Sequence, residues 1–455
     1  MTPPASRVRT RLRIAFAAAV TTGLCSPAAS AAPSQADIDR LVLESQARLI
    51  EWRRDIHQHP ELSNREVRTS KKVEAHLRSL GLNVRTGIAH TGVAAVLKGG
   101  KPGPVIALRA DMDGLPVTEK TDVPFRSTVT ADYRGEKIGV MHACGHDAHV
   151  AILMAAAQVL TAIKADLPGT ILLIFQPAEE GVPEGETGGA KQMLAEGLFD
   201  TAKPEAVFGL HVVSRLRAGV LGIRSGPFMA ASDRFKVVVT GRQTHGAEPW
   251  NGVDPIVTAS HIVTALQTVV SRQVNITANP AIVTVGAIKG GIRHNIIPDQ
   301  VELVGTIRTF DKEQRARLLE QVERIVTHTA AANGATGVFT LGDDPNPVVY
   351  NDPKLTDSVL PSLQRAVGAD NVITTPLITG AEDFAYYGTR APSFFFNVGI
   401  SPPDEDPAAA PANHSPFFYI DESGLQPGLR AMLYVAIDYL NGAGRKAASA
   451  ASDGN

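Results

Sequence analysis

The sequence predicts an α/β protein: a largely parallel sheet with helices packed on it, interrupted by a small inserted α+β domain. Two observations carry this. Apolar segments with the two-residue strand period alternate with segments of helical period in residues 38–210, the pattern of a layered sheet. Near residue 222 the order changes to strand, helix, strand, strand, helix, a ferredoxin-like arrangement. At 455 residues, with 44% hydrophobic and 20% charged residues, the chain is long enough for two or three domains and a sizeable core.

The chain opens with Arg7, Arg9, Arg11 and Arg13, an apolar run from Ile14 to about Cys25, and the small-residue site Ala29-Ser30-Ala31. This is the layout of a secretory signal peptide over 1–31, cleaved near Ala31, and it predicts a secreted or periplasmic protein. The apolar run is too short for a membrane span, so no membrane association is expected after cleavage. Removing four arginines and no acid takes the formal net charge from −2 to −6. So acidic a chain is a poor partner for nucleic acid. Cleavage also leaves Cys144 as the lone cysteine, which excludes an intramolecular disulfide.

Helical periodicity covers Ile38 to Arg54 and Thr69 to Leu80, the second ended by Gly81. Val93–Leu97 and Val105–Arg109 read as strands, the latter closing on Asp111-Met112-Asp113-Gly114. Val150 to Ile163 is a nearly continuous apolar helix with Asp147 placed to cap it. Thr170–Phe175 is a strand buried on both faces, ending at Gln176-Pro177-Ala178-Glu179-Glu180-Gly181, and Ala206–Leu210 is a strand ending at His211. The inserted segment holds strands at 233–240, 281–288 and 300–308 and helices at 255–272 and 312–332. The first layer resumes after it with the core strand Phe394–Val398, the loop Asn413-His414-Ser415-Pro416 and a closing helix, Pro427 to Leu440. The divisions are therefore 37–221 and 336–442 for the two parts of the first layer, 222–335 for the insert, and 443–455 for a small, polar tail expected to be disordered.

The chemistry centres on Met141-His142-Ala143-Cys144-Gly145-His146-Asp147. A thiolate and an imidazole two positions apart suit a transition-metal ion. Open α/β sheets bind ligands beyond the carboxyl ends of their strands, which groups Asp111, Glu179, Glu180 and His211 with that motif. Cys144, His146, Glu180, His211 and His414 give five candidate ligands, more than one tetrahedral ion needs while it keeps an open position. A hydrolytic centre also needs a base that is not a ligand. Glu179 fits, because adjacent residues of extended backbone point opposite ways. Asp111, Asp113 and Asp147 are placed to orient histidines, and His142 and His149 to support the site. His57-x-His59 reads as a structural turn, and Phe394-Phe395-Phe396 as core.

These motifs, with Arg53-Arg54-Asp55-Ile56-His57-Gln58-His59-Pro60-Glu61, Arg109-Ala110-Asp111-Met112-Asp113-Gly114, Thr244-His245-Gly246-Ala247, Asn295-Ile296-Ile297-Pro298-Asp299 and Gly380-Ala381-Glu382-Asp383-Phe384, together resemble the metallo-amidohydrolase subgroup of the aminoacylase and carboxypeptidase superfamily. The resemblance spans about residues 40–440. It implies a zinc-peptidase-like catalytic domain with an inserted dimerisation, or lid, domain, and a homodimer. It implies two divalent ions (zinc, manganese, cobalt or nickel) on Cys144, His146, Glu180, His211 and His414, with Glu179 as general acid/base. His245 would reach the partner's site and stabilise the oxyanion. Asn295 and Arg308 are candidates for substrate contact, Arg308 for a bidentate grip on a carboxylate. Trp250 stands where many members carry a histidine or a small residue. The expected reaction is hydrolysis of the amide of N-acyl amino acids. The alternatives are a carboxypeptidase or dipeptidase acting on short peptides, and a metal-dependent binding protein without activity.

Overall fold

In the computed structural model the strand Phe394-Phe395-Phe396 shows how the larger layer is built. All three rings are fully buried, yet Phe394 and Phe396 join one hydrophobic cluster and Phe395 another. Alternate residues of a strand face opposite sides of the sheet, so this strand is covered on both faces. One face packs under the helices Gln35–Gln58, His146–Ala162, Pro353–Val367 and Leu425–Leu440. The other is closed by the short helices Gly189–Ala195 and Ala385–Gly388. The structure describes residues 1–5, 33–343 and 345–442. The signal-peptide segment, apart from its first five residues, and the 443–455 tail lie outside them.

The layer is an eight-stranded sheet. Its centre is parallel: Pro168–Gln176, Lys101–Asp111, Ala206–Arg217 and Ser393–Ser401 lie side by side in that order. Antiparallel pairs flank this centre, Leu221–Ile223 on Ser393–Ser401 at one side and two more at the other edge, so the sheet is mixed rather than largely parallel. There Asn83–Ile88 pairs with Gly92–Lys98, which pairs with Pro168–Gln176. The cause is the tight connection Ala89-His90-Thr91, with Ala89 and His90 at φ of 48° and 78°. A link this short joins only antiparallel neighbours.

Two expectations change. The helix begins at His146, after Gly145, so Asp147 lies in its first turn and its carboxylate serves other partners. The strand expected to end at His211 continues to Arg217, because it stays paired with the 393–401 strand through His211 and beyond. His211 therefore points from within a strand.

Residues 231–341 form the second sheet. Ala231–Thr240, Ala281–Gly290, Gln300–Thr309 and Thr336–Leu341 are its strands, with helices Pro255–Thr268 and Lys312–Ala332 packed on it. In chain order the strands lie 2-3-1-4, each pair antiparallel, the ferredoxin-like arrangement. Phe235, Val237 and Val239 face its core between the exposed Arg234, Lys236 and Thr240. The fourth strand lies C-terminal to the 222–335 segment, and Leu221–Ile223 belongs to the large sheet. Both sheets fall within one compact unit, Ala32–Asn455.

Candidate metal centre

Four side chains, His146, Glu180, His211 and His414, gather around the Cys144 sulfur. Cys144 is brought in by a turn only glycine can make: Gly145 has φ of 97°, and a Cβ there would stand 2.3 Å from Val212 Cγ2. The turn lets Cys144 and His146 face one cluster from either side of it. Cys144 Sγ lies 3.3 Å from His211 Nε2 and 3.2 Å from His414 Nε2. His414 Nε2 is 3.0 Å from Glu180 Oε1, which is 4.0 Å from His146 Nε2. Ligand-capable atoms fall into two groups that share the thiol: Cys144 with His146 and His211, and Cys144 with Glu180 and His414. Three further groups lie beside them without the thiol: His146 with Glu179 and Glu180, Asp111 with His146 and His149, and Asp111 with Glu179 and Glu382.

Neighbouring groups fix how these side chains point. His211 donates from Nδ1 to the Val212 carbonyl at 2.8 Å, which leaves Nε2 facing the sulfur. His146 turns Nδ1 to Asp113 Oδ1 at 3.2 Å, and its buried Nε2 has no hydrogen-bond partner. Asp113 does more: its carboxylate accepts the backbone N–H of both Glu179, at 3.1 Å, and Glu180, at 3.0 Å. Glu66 accepts from Ala178 N at 2.9 Å and so holds Ala178 at φ of 53°, where the strand turns into the Glu179-Glu180 pair.

His149 is not free to ligate. Its Nε2 accepts from the Val212 N–H at 2.9 Å, so its proton sits on Nδ1, 2.5 Å from Asp111 Oδ1. His142 is buried, has no partner at either ring nitrogen, and is pushed down to about 4, chiefly by burial. His57 lies in the last turn of the first helix, between Asp147 at 2.9 Å and Glu119 at 3.1 Å. Arg53 also reaches Asp147, at 2.8 Å. Asp147 thus anchors the helix that carries His146 to the first helix. His59 bonds the Asp55 carbonyl.

One network has no counterpart in the sequence reading. Arg109, fully buried, spans Asp111 at 2.7 Å, Glu382 at 2.8 Å, Asp383 at 3.1 Å and Gln176 at 2.9 Å. The Asp383 N–H points to Glu179 Oε1 at 3.4 Å. The signal was present in Gly380-Ala381-Glu382-Asp383-Phe384, but a buried arginine two residues before Asp111 reads as an ordinary strand residue until its partners are seen.

The electrostatics favour a cation. Asp111, Asp113, Glu179, Glu180, Glu382 and Asp383 crowd a buried region with one guanidinium among them. Burial pushes the His146 imidazole down, but the Asp111, Asp113 and Glu180 carboxylates outweigh it and hold it at about 10. Burial, then the charges of Glu180 and Glu179, holds the Cys144 thiol well above its ordinary value. Burial, then the charges of Glu382, Glu180 and Asp383, does the same to Glu179. Burial and His149 depress His211 well below its usual range and keep it neutral. A buried ring nitrogen without a partner, a thiol short of positive charge and a surplus of carboxylates are what a divalent ion satisfies. The donor set fits the metal.

His245, Asn295 and Arg308 lie on the second sheet and its loops. His245 is exposed, and its Nδ1 accepts from Ala247 N at 3.0 Å. It pairs across a two-residue strand with Ile296, beside Asn295, whose buried Oδ1 has no partner. Arg308, half-buried, bonds Thr306 and the Ile307 carbonyl. Among the described residues no hydrogen bond or ion pair joins these three to the Cys144 cluster. Trp250 is 75% exposed. No helix among the described residues is long and apolar enough to cross a membrane.

Comparison with known proteins places this geometry in context. Residues 107–438 match the model of "Peptidase family M20/M25/M40". The chain is 40% identical over 394 residues to thermostable carboxypeptidase 2 of Saccharolobus solfataricus, covering 86% of this chain and 95% of that protein. It is 40% identical over 377 residues to an N-acetyl-L-cysteine deacetylase of Bacillus subtilis, covering 83% and 84%. The crystal structure of the Bacillus subtilis YXEP protein, a dinuclear metal binding peptidase from the M20 family, superposes with a TM-score of 0.73 at 34% identity, covering 88% of this chain and 99% of that one.

Proposed function

This chain belongs to peptidase family M20/M25/M40, and we propose that within it the protein is an amidohydrolase of N-acyl amino acids. It is a metal-dependent hydrolase of amide bonds. The hydrolytic reading rests on one observation: Glu179, a carboxyl outside the two groups that share Cys144, is pinned by Asp113 beside them, its Oε2 3.9 Å from His146 Nε2; the similarity to an N-acetyl-L-cysteine deacetylase favours acylated amino acids as the substrate.

Two divalent ions would be held by Cys144, His146, Glu180, His211 and His414; zinc suits the thiolate and imidazoles, and manganese, cobalt or nickel the carboxylate as well. When bound, such ions polarise the amide carbonyl and acidify water. Glu179 takes the proton of the attacking water and returns it to the leaving nitrogen. Its raised affinity for a proton, from burial and the acids around it, suits the second half of that transfer. Arg308 grips the free carboxylate of the amino acid, Asn295 makes a further polar contact, and His245 of a second copy stabilises the oxyanion, which makes the active form a homodimer. The protein acts outside the cytoplasm, after removal of the leader.

A second reading keeps the machinery and changes the substrate. The similarity to a carboxypeptidase favours peptides. Initial rates of the metal-loaded protein on hippurate, N-acetyl amino acids and dipeptides decide between them. The proposal expects the acylated amino acids to be turned over faster. Faster turnover of dipeptides selects the peptidase, and stoichiometric binding without turnover refutes both.

A further inference from the structure

We propose that Asn413 is the positioning residue that holds the ligand segments in register, an inference resting on the reading of the Cys144 cluster as a metal centre. The strand of His211, the turn of Cys144 and the loop of His414 are far apart in sequence. The loop backbone takes the left-handed conformation at His414 itself, with φ of 72°, a costly state for a histidine that its surroundings must impose.

The Asn413 amide supplies that imposition. From Nδ2 it donates to the Cys144 carbonyl at 3.0 Å and to the Val212 carbonyl at 3.1 Å, and its Oδ1 accepts from the Ser214 N–H at 3.3 Å. One side chain thus uses both its donors and its acceptor on the two backbones that carry Cys144 and His211, while the next residue of its own chain is His414. A fourth bond closes the same seam: the His414 N–H donates to the Ala143 carbonyl at 2.7 Å. The Val212 carbonyl is shared, because it also accepts from His211 Nδ1 at 2.8 Å. The bond that fixes the His211 ring and the bond that fixes the His414 loop therefore end on one oxygen.

Both ligand groups contain the Cys144 sulfur, and one contains His414. Without the amide, the His414 group loses its side-chain tie to the Cys144 and Val212 carbonyls, and the backbone bond to Ala143 is left to hold the loop against the cluster. An aspartate in its place keeps the shape and the acceptor but turns an oxygen, not an N–H, toward two carbonyl oxygens. Asn413→Asp therefore removes both donors at constant volume. Tyr419→Phe is the matching control: the Tyr419 hydroxyl bonds Glu405 Oε2 at 2.7 Å and ties the same loop away from the cluster.

The test is cobalt titration of the metal-free, full-length mature protein. Affinity is read by chelator competition, thiolate coordination by the sulfur-to-cobalt charge-transfer band, and folding by circular dichroism. Asn413→Asp is expected to bind cobalt about 10- to 100-fold more weakly, the usual cost of losing an outer partner of metal ligands. It should also bind with a shifted or weakened band and an unchanged fold. Tyr419→Phe should match the wild type in both readouts. Three outcomes overturn the inference: an Asn413→Asp protein with wild-type affinity and band, an equal loss in Tyr419→Phe, or a folded Asn413→Gln variant that behaves like Asn413→Asp although it retains both donors and can rebuild the clamp. Wild-type protein that binds no cobalt removes the metal reading of the cluster and this inference with it.

Discussion

Asp113 holds three segments of the Cys144 cluster together, and Asp113→Asn measures how much depends on it. Its carboxylate accepts four hydrogen bonds: Ser63 Oγ at 2.8 Å and Glu180 N at 3.0 Å on Oδ2, and Glu179 N at 3.1 Å and His146 Nδ1 at 3.2 Å on Oδ1. An asparagine keeps one of those oxygens. With its NH2 turned to the Ser63 side, the Ser63 hydroxyl can rotate to accept, and the Glu180 N–H is the one donor left facing an NH2 group. Leaving that buried donor unpaired costs about 1–3 kcal/mol. Relief of repulsion works the other way: burial first, and then the Asp113 charge, push the Glu66 carboxyl up to about 8, and Asp111 stands close by. The net loss should be about 1–2 kcal/mol in urea unfolding of the metal-free protein. Zinc affinity should fall about 10- to 100-fold, because His146 and the Glu179-Glu180 backbone both lose their anchor. An unfolding midpoint and a zinc affinity both equal to the wild type would refute the argument that Asp113 organises the site.

Two further predictions address the frame around the cluster. Gly145→Ala forces a Cβ to 2.3 Å from Val212 Cγ2 at φ of 97°; thermal unfolding should show a loss of about 2–4 kcal/mol, and a stability equal to the wild type would remove the steric argument. Burial and the Arg53 charge push His57 down, but its bonds to Asp147 and Glu119 outweigh them and its net shift is upward. A group raised in the folded state stabilises fully below its unfolded value of about 6.5 and loses that contribution as pH rises through the folded value. The wild type should therefore lose stability over that window relative to His57→Gln, and urea midpoints measured against pH that run parallel in the two proteins would contradict it.

The parts of the site legible in the sequence are those set by local chain geometry. Cys144 and His146 sit on either side of one glycine turn, and Glu179-Glu180 follows a doubly buried strand, so their meeting follows from strand ends in an α/β sheet. The ferredoxin-like sheet was legible from the order of strand and helix segments along the chain, with Phe235, Val237 and Val239 on its core face. What stayed hidden depends on long-range pairing. Nothing local says that the strand of His211 continues to Arg217; its partner at 393–401 does. Asp147 looks like a helix cap until Arg53 and His57 arrive from 94 and 90 residues away. Arg109 reads as a strand residue, although Glu382 and Asp383 sit on its guanidinium from far along the chain. Asn413 reads as a loop residue, and its role is visible only once the backbones of Cys144 and Val212 stand beside it.

The most direct test of the central claim is the turnover of N-acyl amino acids by Glu179→Gln, with metal content measured on the same sample. General acid/base catalysis is worth about 10²- to 10⁴-fold. The account predicts a full complement of metal and a fall in kcat of that size on hippurate and N-acetyl amino acids. A metal-loaded Glu179→Gln protein that turns these substrates over at the wild-type rate would contradict it.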